Sequence, residues 1–180
     1  MQSFREKEIR LIGRRDFLKT GMTVGLSIVI PGVMSCKGKE VPGVGNSLSE
    51  VALNDLRGNK VMIPANCRGK VALLHFWAGW CPTCRTEMLN LEAISHEYGG
   101  QGVIPCSIGI NENRETAMSY IRNINITYPI LLDPHATTQK RFGISGIPTY
   151  YFLSREGIIT YKVLGTIDKT RLEKMVRAIL

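Results

Sequence analysis

The sequence predicts an α/β fold in which a central mixed β-sheet is flanked by helices and preceded by a β-hairpin. Two apolar runs, "VALLHFW" at 71–77 and "GVIPCSIGI" at 102–110, have the composition of strands buried on both faces. Segments of helical period follow each of them. The resulting order, β-β-β-α-β-α-β-α-β-β-α, alternates enough for one sheet with helices on both sides.

The elements follow in order. Residues 51–54 and 60–63 pair as a hairpin across "DLRGN", whose Gly-Asn supplies the turn. "CRGK" is a polar break before the strand at 71–77. From Pro82 to about Tyr98 the pattern is helical, with Met88, Leu91 and Ile94 on one side and "GG" at 99–100 as the stop. After the strand at 102–110, "NRETAMSYIRNI" is amphipathic through Ala117, Tyr120, Ile121 and Ile124. "YPILLD" is a strand, and "HATTQKRFG" a short helix ended by Gly143. "TYYFLS" and "IITYKVLG" form a hairpin across "REG". "DKTRLEKMVRAIL" is the last helix, capped by Asp168.

The first 35 residues are an address rather than part of the fold. A basic stretch precedes an apolar run from Thr20 to Met34. That run is short of the roughly 20 residues a spanning helix needs and is broken by Gly21, Gly25, Pro31 and Gly32. A secretory signal is the reading that fits. "RRDFLK" resembles a twin-arginine export signature through Arg14 and Arg15, with Gly13 where Ser or Thr is usual. "VMSC" at 33–36 resembles a bacterial lipobox, which makes Cys36 the lipidated first residue of the mature chain. An uncleaved anchor and a soluble periplasmic product are the alternatives. Residues 36–48, Gly-, Lys- and Pro-rich, read as a flexible tether. Residues 49–180 form the domain.

The net charge is +8. Three of those charges belong to the leader, where six basic residues oppose three acidic ones. The rest is mildly basic, with no basic stripe interleaved with aromatics, so nucleic acid is excluded as a partner. Export places the cysteines in an oxidising compartment, where a working dithiol must be fed electrons or must act as an oxidant.

The chemistry lies in "FWAGWCPTC". Two cysteines at i and i+3, after a strand and at the start of a helix, come within disulfide reach. Pro82 favours a helix beginning there. Cys81 then sits at the positive end of the helix dipole, which favours its thiolate. Cys84 lies one turn inside and is shielded. An exposed attacker with a buried resolving partner is what thiol–disulfide exchange requires. A zinc site would need four ligands. Cys67, Cys106, His75, His96 and His135 are scattered in sequence, with no second CxxC and no HxxxH, so no metal is expected. The redox-active disulfide replaces any cofactor. Cys106 reads as inert core and Cys67 as an exposed spare thiol; a disulfide between them is the alternative.

"FWAGWCPTC" before a helix, with "GISGIPTYYF" some sixty residues on, resembles the thioredoxin fold. More narrowly it resembles the TlpA/ResA-like, CcmG/DsbE-like thiol–disulfide oxidoreductases of bacterial cytochrome c maturation. The resemblance covers roughly residues 43–180. It includes the N-terminal hairpin and the extra helix and strand around "MSYIRNINITYPILLD". It implies Cys81 as nucleophile and Cys84 as resolver. It implies a cis peptide at Pro148, with the Ile147 backbone pairing a substrate strand, and a rim formed by Trp80 and Pro82. Glu87, one turn after Cys84, matches a glutamate that tunes the cysteine pKa values. His75, six residues before Cys81, departs from the pattern: thioredoxin has an aspartate there and this branch often asparagine. It is either a base or charge acting on Cys84, or a hydrogen-bonded core histidine.

The resemblance implies a monomeric, membrane-tethered envelope enzyme facing the periplasm. Its electrons come from a membrane thiol–disulfide donor and pass to disulfides of exported proteins, such as apocytochromes c or metal-site cysteines. A disulfide oxidase or isomerase, a redoxin-type peroxidase and a copper-binding chaperone on the same fold are the alternatives.

Overall fold

The computed structural model describes residues 41–180. The twin-arginine motif, the lipobox and Cys36 lie outside the described residues. Seven strands form one mixed sheet in the order β2-β1-β5-β4-β3-β6-β7. In chain order these are β1 (Val51–Asp55), β2 (Lys60–Ile63), β3 (Val71–Trp77), β4 (Val103–Ile110), β5 (Ile130–Asp133), β6 (Thr149–Leu153) and β7 (Ile159–Leu164). The helices are α1 (Cys84–Tyr98), α2 (Arg114–Ile121), α3 (Thr137–Phe142) and α4 (Lys169–Arg177). The β3–β4 and β4–β5 pairs are parallel and the others antiparallel. Every predicted element is present.

All seven residues of β3 are buried. Strand alternation divides them between two layers. Ala72, Leu74 and Phe76 pack with Ile63, Cys106, Phe142 and Tyr151. Val71 and Leu73 pack with Tyr150 of β6 and with Leu91, Ile94, Leu172 and Val176, the apolar faces of α1 and α4. At roughly 1.5–3 kcal/mol per large side chain removed from water, this strand is the main source of stability at the sheet's centre.

Local signals set the ends of the elements. Asp55 closes the first hairpin by accepting from the amides of Arg57 and Asn59, both at 2.8 Å. Asn113 and Thr116 cap α2 reciprocally. Asp168 caps α4 by accepting from the Arg171 amide at 2.9 Å. Gly143, at φ 63°, ends α3 in the left-handed conformation that glycine adopts without strain.

Two boundaries differ from the expectation. The segment read as a tether to residue 48 is tied down in its last part. Gly45 donates to the Ile159 carbonyl and Ile159 to the Asn46 carbonyl, each at 2.9 Å. Leu48 is 4% exposed within the main core. Composition marked Gly and Pro but not the one leucine that anchors them. Helix α1 begins at Cys84, with Pro82 and Thr83 in a turn, rather than at Pro82.

Leu48→Ala is expected to cost about 2–4 kcal/mol, as for other buried leucines. Denaturant unfolding measures this; a change within error would return the segment to a tether.

Candidate active site

The site is the loop that leaves β3 and enters α1. The Cys81–Cys84 disulfide closes it, with the Cα atoms 5.5 Å apart. The later helix start makes Cys84, not Cys81, the first helical residue. Cys81 precedes the helix, and its Sγ accepts from the Cys84 amide at 3.3 Å. The amide and the helix N-terminus both favour negative charge on that sulfur. The expectation that Cys81 is the exposed thiol needs correction: in the disulfide Cys81 is 2% exposed and Cys84 fully buried. Trp80 at 73% exposure, with exposed Pro82 and Thr83, forms the outer rim.

Two residues that the motif did not point to hold the loop. Glu112, buried beyond the end of β4, accepts from the Gly79 amide through Oε1 at 2.6 Å. Tyr120 of α2 donates to the Cys81 carbonyl at 2.6 Å and stacks on Trp77 at 4.8 Å between ring centroids. Nothing in the sequence marks Glu112. Tyr120 was visible only as part of an apolar helix face. The Ile147–Pro148 peptide is cis, and Ile147 packs against the cluster that holds both cysteines. The Pro148 carbonyl is occupied by the Gly165 amide at 2.8 Å.

Beneath the disulfide lies a buried polar group. The register sets His75 of β3 beside Ser107 of β4 and Tyr150 of β6. Its Nδ1 meets Ser107 Oγ at 3.1 Å, and Ser107 Oγ meets the Tyr128 hydroxyl at 3.0 Å. The ring stacks on Tyr150 at 4.8 Å. His75 is therefore hydrogen-bonded core on one side. On the other side Nε2 is 3.4 Å from Glu87 Oε2, and among the described residues neither atom has a hydrogen-bond partner besides the other. Glu87 is 3% exposed and not a solvated helix carboxylate. Its Oε1 accepts from the Ile167 amide at 3.1 Å. Burial pulls the His75 pKa down, against a smaller upward pull from Glu87. Burial pushes the Tyr150 hydroxyl up, helped by the Glu87 charge.

His75, Cys84 and Glu87 each bring one ligand-type atom to within 4.8 Å of the others. Cys84 and Glu87 are one helical turn apart in sequence; the packing of α1 on β3 brings His75 to them. Cys67 and Cys106 are free, and Cys67 is buried rather than exposed. Burial pushes Cys67 up to about 11 and Cys106 well above its ordinary value, so both are poor nucleophiles.

The Redoxin family model matches residues 39–179. The thiol-disulfide oxidoreductase ResA of Geobacillus kaustophilus is 25% identical over 141 residues, 78% of this chain and 80% of that protein. The crystal structure of a Chlorobium tepidum protein, described as a candidate thiol:disulfide interchange protein DsbE, superposes with a TM-score of 0.72. It is 24% identical and covers 77% of this chain and 98% of its own. A secreted Mycobacterium tuberculosis disulfide oxidoreductase, homologous to E. coli DsbE, superposes at 0.63. That chain is 22% identical, with coverage of 71% and 95%. The thioredoxin-like sheet and its flanking helices are shared.

Burial of neutral His75 has a signed consequence. An unfolded histidine takes up a proton near 6.5, which the folded one resists. Stability therefore falls as pH drops below 6.5, by up to about 1.4 kcal/mol per pH unit until the lower folded pKa is reached. Urea unfolding of the oxidised protein from pH 7.5 to 5 measures this, and His75→Asn is expected to flatten that part of the profile. Tyr120→Phe removes a loop anchor but no reacting atom. It is expected to cost about 1 kcal/mol and to leave Cys81–Cys84 able to form, as thiol titration would show.

Proposed function

The chain belongs to the Redoxin family, and from that premise we propose that this thiol–disulfide oxidoreductase works as a reductase on disulfides of exported proteins. The observation that carries the reading is the Cys81 sulfur, accepting from the first amide of α1 above a buried base pair, His75 and Glu87.

In the reduced state the Cys81 thiolate attacks one sulfur of a substrate disulfide. The S–S bond breaks, a mixed disulfide forms on Cys81, and the departing substrate thiolate takes a proton from water. Cys84 then attacks Cys81 Sγ, which frees the second substrate thiol and forms the Cys81–Cys84 disulfide. Two electrons have passed to the substrate. Cys84 is buried and must lose its proton before it attacks. His75 and Glu87 lie close by, and the Glu87 carboxylate or the ring nitrogen that carries no proton can take it. Trp80 and Pro82 form the outer contact and Ile147, beside cis-Pro148, the inner one. A membrane dithiol donor resets the couple.

The leader supports an envelope location, with Cys36 as the lipid anchor. Exported substrates with paired cysteines, such as apocytochromes c or metal-site proteins, fit a dithiol that must be fed from the membrane.

The reduction potential tests the direction of flow. Equilibration with dithiothreitol buffers is expected to give a value near that of thioredoxin, about −270 mV; a value near the −120 mV of a strong oxidant makes the protein an oxidase. Independently, Cys84→Ser is expected to accumulate a mixed disulfide with a CxxCH peptide disulfide, visible by mass spectrometry, and Cys81→Ser to form none. Trapping by Cys81→Ser alone would reverse the assigned roles.

A further inference from the structure

We propose that reduction of the Cys81–Cys84 disulfide opens a buried four-donor site for a thiophilic divalent cation, Zn²⁺ being the type. The donors are Cys81 Sγ, Cys84 Sγ, His75 Nε2 and Glu87 Oε2.

Two of these donors are buried polar atoms that face each other with no partner. Leaving such atoms unpaired is costly, so their orientation needs a reason. Each side chain is held by its far end. Ser107 fixes Nδ1 of His75. In the tautomer with the proton on Nδ1, that nitrogen donates to Ser107 Oγ and Nε2 carries a lone pair directed at Glu87. The Ile167 amide holds Oε1 of Glu87 and leaves Oε2 free. Two lone-pair acceptors then confront each other across 3.4 Å. That arrangement calls for a cation or a proton between them. Metal-ligating histidines are usually oriented through their second nitrogen by a hydrogen-bond partner, and here Ser107, backed by the Tyr128 hydroxyl, holds that nitrogen.

The spacing suits zinc. Bonds of about 2.0–2.3 Å to N, O and S set tetrahedral edges of roughly 3.3–3.8 Å. The His75–Glu87 separation already has that length. Cys84 Sγ lies within 4.8 Å of a ligand atom of each residue, so it must close by about 1.3 Å at most, a side-chain adjustment that breaking the disulfide permits. Cys81 Sγ, bonded to Cys84 in the oxidised state, completes the set from the outer side. All four donors are buried, with Cys81 the one next to the exposed Trp80, Pro82 and Thr83, so the cation's route runs past Cys81.

The chemistry balances without any change in the metal's oxidation state. Two electrons and two protons convert the disulfide to two thiols. The cation then displaces both thiol protons to solvent and binds two thiolates, a neutral imidazole and a carboxylate. Oxidation removes both thiolate ligands at once and expels the metal. The site is thus open only in the electron-loaded protein, and an occupied site withholds Cys81 from exchange. The inference rests on the proposed function only in requiring a reducible Cys81–Cys84 pair, whichever way electrons flow.

The full chain, reduced with a non-chelating phosphine, is titrated with Co²⁺ as a spectroscopic probe and then with Zn²⁺ against a chromogenic chelator. We expect one equivalent bound, with tetrahedral d–d bands and thiolate-to-cobalt charge transfer, displaced by Zn²⁺ and absent in the oxidised protein. His75→Asn and Glu87→Gln are each expected to weaken binding at least about tenfold, no less than the loss of an outer-shell partner would. Absence of stoichiometric binding to the reduced chain overturns the proposal. So does equal binding to the oxidised chain, or unchanged affinity in both variants, which would mean that the two thiols act alone. If a variant loses its cooperative unfolding transition, the ¹⁵N shift of His75 Nε2 in the wild type decides. A displacement on adding Zn²⁺ supports the site, and an unmoved resonance overturns it. An oxidant-like potential would sink the reductase reading and leave these metal readouts intact.

Discussion

The structure depends on the complete burial of β3. A strand covered on both faces must satisfy every backbone group within the sheet, and β3 does so between parallel β4 and antiparallel β6. Its rigidity passes directly into the active-site loop. Trp77, the last residue of the strand, is fully buried and stacked on Tyr120. Four residues later the chain reaches Cys81. Glu112 and Tyr120 then take the Gly79 amide and the Cys81 carbonyl, so a loop carrying a reactive bond is held by the core on both sides.

The same burial makes His75 unusual. Its neighbours in β3 are aliphatic or aromatic, and a titratable ring there is costly unless partnered. The sheet supplies half of a partnership, through Ser107 and the Tyr150 ring. Helix α1 supplies the rest by bringing in Glu87, itself an uncommon residue to find buried. Local conflict of this kind, in a fold otherwise consistent at every level, concentrates where function lies. The conflict here is directly behind the sulfur that must gain and lose a proton.

The structure departs from expectation in four places, and three of them share a cause. Leu48 is a single apolar residue in a Gly- and Pro-bearing stretch, and no periodicity can flag one residue. The start of α1 moved from Pro82 to Cys84 because proline fits a turn as well as a first helical position. Cys81 was read as exposed from its place before the helix. In the folded chain the Trp77 and Met88 cluster and Ile147 cover it. Cys67 stands outside the strands, yet it packs into the core. The burial of Leu48, Cys81 and Cys67 is in each case a property of what lies opposite in space.

The sequence by itself determined the elements, their order and the redox couple, while the cis peptide at Pro148 is what the family resemblance implies. Those signals are local: period, caps, turn residues and the i, i+3 spacing of two cysteines act within one or two turns of chain. It also placed Glu87 three residues from Cys84, because a helix converts that spacing into proximity. Only the tertiary structure decided what His75 does. Its partners, Ser107, Tyr128, Tyr150 and Glu87, lie between 12 and 75 residues away and meet it through sheet register and helix packing. A buried polar cluster is defined by the groups that close around it, and a chain acquires those only when it folds.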